Sequence, residues 1–198
     1  MNKTTCVAAL LAALTGIALI GSAHAGEPLD VVKGAADRAV QILKDPKLLS
    51  KDKKKERVEL LRGAVEPIFD FEEMAKRSLG PHWRRRTPAE QQEFVKLFQD
   101  FMEKVYSDKL DLYEGEKIVF GKETIDQDFA QVDSSIINNK GETFSIVYKL
   151  RRADSKWKVY DAVVENISFI NNYRSQFDRV IKSSSYEELV KRLREKSS

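Results

Sequence analysis

The spacing of apolar residues along the chain changes twice, from helical to strand-like and back. Leu29, Val32, Ala36, Val40 and Leu43 recur three or four positions apart, on one face of a helix that Asp45-Pro46 ends. Val58, Leu61, Val65 and Ile68 form a second stripe, interrupted by Pro67, and the lysine-rich run at 51–57 reads as its solvated first turn. Asp70-Phe-Glu-Glu73 predicts a capped start for a short third helix, and Gly80-Pro81 its stop. Thr87-Pro-Ala-Glu90 is the strongest local signal: a Thr cap, Pro at the first helical position, and Glu three residues after the cap. The helix it opens carries Phe94, Leu97, Phe98, Phe101, Met102 and Val105, and is expected to run to about Tyr113, ahead of Gly115. Three phenylalanines on one face require a broad apolar partner.

From Glu116 the period falls to two. Ile118 and Phe120, then Ala130, Val132 and Ile136, then Phe144, Ile146, Tyr148 and Leu150 alternate with polar residues. Asn138-Asn-Lys-Gly141 and Ala153-Asp-Ser-Lys156 are turn signals between them. The stretch at 157–177, WKVYDAVVENISFINNYRSQF, is the pivot of the pattern. Strict alternation puts Trp157, Val159 and Val163 on one face of its strand and Tyr160, Ala162 and Val164 on the other. A strand apolar on both faces is normally covered on both. Asn166 marks a sharp exit, since Asn tolerates left-handed backbone. Ser168 then caps a helix whose stripe is Ile170, Tyr173, Phe177 and Val180. Ser185-Tyr-Glu-Glu188 opens a last helix holding Leu189, Val190 and Leu193. This order predicts an α+β fold, with helices packed across one face of a curved four-stranded antiparallel sheet.

Composition narrows the setting. Lys3, the apolar run at 7–20 and the small-residue site Ala23-His24-Ala25 read as a signal peptide over residues 1–25, leaving a single domain over 26–198. The apolar run is too short for an ordinary membrane span, and no second long one follows. The single cysteine, Cys6, falls inside that leader, so the mature domain has no disulfide. With Lys3 removed from the 34 basic residues, 33 stand against 31 acidic ones. A net charge of +2 gives no general argument for nucleic acid. The expectation is a soluble exported protein.

Little in the sequence points to catalysis. The mature domain holds one histidine, His82, and no cysteine, which excludes zinc constellations and Cys-His pairs. There is no Gly-rich phosphate loop and no G-x-S-x-G turn. Asp161, a carboxylate inside an apolar strand, is the best candidate base, since burial raises a carboxyl pKa. The plainer reading is a structural carboxylate held by backbone donors or an arginine. Glu165 is a weaker candidate at the strand end. Trp83-Arg84-Arg85-Arg86 forms a candidate docking loop, with Trp83 packed inward and at least one arginine on an anionic head group or acidic partner.

The residues Leu79-Gly80, Trp83-Arg84, Thr87-Pro88, Phe94 and Phe98 resemble the MlaC family of periplasmic phospholipid shuttles. So do Tyr160-Asp161-Ala-Val-Val-Glu165 with Ile167-Ser168, and Asn172-Tyr173-Arg174-Ser-Gln176-Phe177. This is the soluble component of the Mla pathway of lipid asymmetry, also called toluene-tolerance auxiliary proteins. The likeness spans essentially the whole mature chain. One departure is Asn166, where the family usually has Gly; Asn takes the same conformation at some cost.

The resemblance implies a carrier, not an enzyme, with no cofactor and no metal. It would hold phospholipid acyl chains between helices and sheet. It would move lipid between an outer-membrane lipoprotein complex and the lipid-binding subunit of an inner-membrane ABC transporter. Two acyl chains of about 16 carbons cost on the order of 25 kcal/mol to hydrate, so crossing water requires an apolar sleeve. Sheet parity and helix stripe select Phe94, Phe98, Phe101, Val105, Val132, Phe144, Ile146, Tyr148, Val159 and Val163 as its walls. A charged residue in place of Phe98 or Ile146 is expected to abolish lipid retention with the fold still detectable. Two alternatives stay open: a cone-shaped α+β enzyme with Asp161 as base on a hydrophobic substrate, and an interaction module with a solid core.

Overall fold

Six helices and a five-stranded sheet make up the residues that the computed structural model describes, 27–107, 113 and 115–197. The helices are α1 (Pro28–Lys44), α2 (Lys54–Val65), α3 (Phe71–Leu79), α4 (Pro88–Ser107), α5 (Phe169–Ser183) and α6 (Tyr186–Ser197). The expected leader at 1–25 lies outside the described residues. So does most of the expected continuation of α4; Tyr113 itself is not helical.

Local chemistry sets most of these boundaries. Thr87 and Glu90 form a reciprocal box at the start of α4: the Thr87 N–H donates to Glu90 Oε2 at 2.7 Å, and the Glu90 N–H to Thr87 Oγ1 at 3.3 Å. Asp70 caps α3 one-sidedly, accepting from the Glu73 N–H at 3.0 Å. The Glu73 side chain turns instead to Lys76 and Arg77. Pro67 ends α2 in a 3-10 turn, Glu66–Ile68.

The sheet is antiparallel in chain order, β1 (Lys117–Asp126), β2 (Phe129–Ile137), β3 (Thr143–Ala153), β4 (Lys156–Val164) and β5 (Ile167–Ser168). The two-residue β5 adds to the four expected strands. It exists because Glu165 and Asn166 both take left-handed backbone, with φ of 48° and 64°, and fold the chain straight back onto Val163 and Val164. Further along the same edge of β4, the strand meets the segment before α3: Phe69 bridges Val159, and the Asp70 N–H donates to the Val159 carbonyl at 2.8 Å.

The alternation expected along β4 is broken at Tyr160. Lys149 pairs with Asp161 and Leu150 with Val159, so Tyr160 is an extra residue, a β-bulge. Cross-strand partners share a face. Trp157 and Val159 therefore lie on the same face as Ala162 and Val164, while Val163, opposite Val147, lies on the other. The bulge follows from packing: Tyr160 sits edge-on to Phe129 and under the Arg77 guanidinium, 4.2 Å from its ring centre.

Two apolar clusters result. One joins α3 to α6, centred on Phe94 and Phe98, both fully buried, with Phe177 edge-on to each. The other joins α1 to the sheet through Val32, Val132, Leu150, Trp157 and Val159. Burying each of these large side chains contributes about 1.5–3 kcal/mol. Phe69 packs against both.

Candidate functional site

The face that the bulge makes continuous is not fully covered. Along β3 and β4, Tyr148 pairs with Ala162 and Ile146 with Val164, and these four side chains floor a cavity of about 420 Å³. Ala39 and Leu43 of α1 and Val58, Leu61 and Val65 of α2 wall it, with Phe69, Phe71, Met102 of α4 and Phe169 at the start of α5. Three charged residues complete the lining: Arg62, Glu66 and Glu103. The size and the apolar walls with a few polar groups are those of a small-molecule site.

The helical stripes explain the hollow. Leu43, Val58, Leu61 and Val65 lie on the apolar faces of α1 and α2, which pack on each other. Toward α4 two polar cross-links bridge the gap. Arg62 Nη1 lies 3.5 Å from Glu103 Oε1, and Gln99 Nε2 donates to Glu66 Oε1 at 3.1 Å. On the floor, burial holds the Tyr148 hydroxyl above its ordinary pKa of 10, with a Ser134 hydrogen bond opposing the shift. It is a neutral group at any physiological pH.

Of the ten wall residues chosen from the sequence, Ile146 and Tyr148 line this cavity. Phe94 and Phe98 are packed into the helical cluster, and Val132 and Val159 into the cluster under α1. Phe101 and Val105 border a separate groove of about 470 Å³ between α4, α5 and α6, which Lys104, Arg192 and Lys196 also line. Phe144 is on the cavity face but further along β3 and exposed, and Val163 is on the opposite face. Sequence reasoning passed over Ala162 and Val164, for which alternation gave the wrong parity, and the stripes of α1 and α2, which it placed on helix faces without choosing any of them as a wall.

Asp161 is buried, and both its oxygens are engaged. Oδ2 accepts from Ser168 Oγ at 2.7 Å and Oδ1 from the Ile170 N–H at 3.0 Å. Ser168 in turn caps α5, accepting from the Asn171 N–H at 3.1 Å. The carboxylate fixes the start of α5 against β4, the structural alternative for this residue. Glu165 is exposed and accepts from the Ser145 N–H and hydroxyl, which holds its carboxyl below the ordinary 4.5. No group of three or more His, Cys, Asp or Glu among the described residues could hold a metal ion.

In the docking loop, Trp83 is half-buried against the helical cluster and its carbonyl accepts from Gln91 Nε2 at 3.0 Å. Arg86 also turns inward, over the Tyr186 ring at 4.5 Å and 3.4 Å from Glu90. Arg84 and Arg85 are exposed.

Residues 33–195 match the family model described as MlaC protein. The chain is 23% identical over 144 residues to the intermembrane phospholipid transport system binding protein MlaC of Haemophilus influenzae, covering 70% of this chain and 67% of that one. Among solved structures it is similar to the phospholipid-binding protein of Ralstonia solanacearum in complex with a phospholipid. The TM-score is 0.75 at 25% identity, over 87% of this chain and 97% of that one. No helix among the described residues is long and apolar enough to cross a membrane.

Proposed function

The chain belongs to the MlaC family, and from that premise we propose that it is a periplasmic phospholipid carrier. It takes up acyl chains in the cavity between α1, α2, α4 and the sheet, and carries lipid between an outer-membrane lipoprotein complex and the lipid-binding subunit of an inner-membrane ABC transporter. Residues 1–25 are its export signal. The observation that carries this reading is the cavity itself: a sheet face floored by Ile146, Tyr148, Ala162 and Val164, left uncovered in a fold shared with a phospholipid complex. Each methylene moved from water into such walls contributes about 0.8 kcal/mol, and no reacting group is needed. The two oxygens of Asp161 are already hydrogen-bonded, which counts against its use as a base.

Of the sequence-derived walls, Ile146 and Tyr148 are assigned to the acyl site, joined by Leu43, Leu61, Ala162 and Phe169. Arg84 and Arg85 are the exposed cations of the docking loop and are assigned to partner contact, with Trp83 and Arg86 as the packed base that positions them. The test is lipid uptake from labelled phospholipid vesicles by the wild type and by Ala162→Trp, whose indole projects from the floor into the cavity. The carrier reading expects uptake by the first and clearly less by the second. Equal uptake by both would place the lipid elsewhere.

A further inference from the structure

Arg62 is the one cation among the residues lining the cavity, and it stands where α2 faces α4. One turn further, Glu66 is held by Gln99 of α4, four residues before Glu103. The two cross-links thus form rungs of a ladder, 62 to 103 and 66 to 99, along one side of an otherwise apolar chamber. The rungs differ. Glu66 and Gln99 meet at 3.1 Å, an ordinary hydrogen bond, whereas Arg62 and Glu103 stand at 3.5 Å, well beyond the ~2.7–2.9 Å of a closed charge-assisted pair. The Arg62 side chain is 47% exposed and that of Glu103 32%, so both can exchange partners without burying a charge. A guanidinium has five donors, and only one is directed at Glu103.

We propose that Arg62 is the head-group ligand of this carrier: it binds the phosphodiester of a bound phospholipid, and Glu103 is the anion that competes with the phosphate for it. The proposal rests on the carrier reading. Arg62 is chemically suited, since its planar fork fits phosphate oxygens and it sits at the polar edge of the chamber that takes the chains. Any phosphodiester-linked lipid presents the same group, so Arg62 would select phospholipid over neutral lipid without choosing among head-group alcohols.

A mere strap between α2 and α4 makes a different prediction, because then removing either partner of the pair has the same effect. The experiment is partition of lipid onto the delipidated protein from phosphatidylcholine vesicles. These carry either a fluorescent phosphatidylglycerol or a diacylglycerol with the same chains. The wild type is expected to favour the phospholipid by about tenfold, Arg62→Ala to lose that preference, and Arg62→Lys to keep part of it. Glu103→Gln removes the competing anion and is expected to raise phospholipid retention about threefold, the scale of one exposed ion pair. Inorganic phosphate added alone leaves retention unchanged. Equal losses in Arg62→Ala and Glu103→Gln, an unaltered preference in Arg62→Ala, or displacement of the lipid by inorganic phosphate would overturn the assignment. A wild type that takes up both lipids equally overturns it and leaves the carrier intact. Uptake of neither lipid removes the carrier reading as well.

Discussion

Ser168 donates its hydroxyl to the buried carboxylate of Asp161 at 2.7 Å while accepting the Asn171 N–H that starts α5. The relay ties the strand that floors the cavity to the helix whose first residue, Phe169, walls it. Ser168→Ala removes the helix cap, worth about 1 kcal/mol, and leaves one Asp161 oxygen without its donor. Asp161→Asn leaves one acceptor oxygen where there were two, so either the Ser168 hydroxyl or the Ile170 N–H must find another partner. Each is expected to lower unfolding stability by about 1–3 kcal/mol in urea titrations. Stability unchanged in Asp161→Asn would mean the carboxylate is not structural.

Gly80 ends α3 at φ 55° and ψ −126°, backbone that residues with a Cβ rarely adopt. A methyl group there would also stand 2.7 Å from Arg174 Nε. The arginine can swing aside, so the backbone term dominates. Gly80→Ala is expected to cost about 1–3 kcal/mol by thermal or urea unfolding. A cost near zero would show that the turn relaxes freely.

Ile146 and Phe98 now give different expectations. Ile146 is half-buried on the cavity floor, so Ile146→Asp is expected to keep the fold and lose lipid retention. Phe98 is fully buried in the helical cluster, and a carboxylate there, with no water and no partner, should unfold the protein. Circular dichroism beside the uptake assay separates the two. A folded Phe98→Asp that merely loses lipid would move the site into the helical cluster.

Tyr186 supplies a pH signature. Burial, with Glu90 and Glu93 nearby, pushes its hydroxyl up to about 12 from the ordinary 10. A raised acid pKa favours the neutral phenol in the fold. Its contribution to stability is fully present below pH 10 and is lost as pH rises from there through about 12. Burial raises Tyr148, Tyr160 and Tyr173 as well, so ultraviolet titration of Tyr186→Phe should show one late-ionising tyrosine fewer than the wild type. Ionisation of all tyrosines together near pH 10 would contradict the packing at the start of α6.

What the sequence made legible was local. The Thr87–Glu90 box, the Ser168 cap and the left-handed Asn166 are each written in a few adjacent residues, and each stands as expected. The bulge at Tyr160 has no such signature, since neither Gly nor Pro marks it. One extra residue reversed the parity of half a strand, exchanging Val163 for Ala162 and Val164 on the cavity face. The phenylalanines of α4 and the stripes of α1 and α2 have the same periodicity. Which of them closes on a core and which faces a hollow is decided by docking between helices, over distances no window of sequence spans.

The measurement that tests the central claim most directly is mass spectrometry of a solvent extract of the protein, purified without detergent. A carrier whose chamber shelters acyl chains from water is predicted to yield phospholipid close to one equivalent per chain. Protein that yields none, and takes none from phospholipid vesicles afterwards, would contradict it.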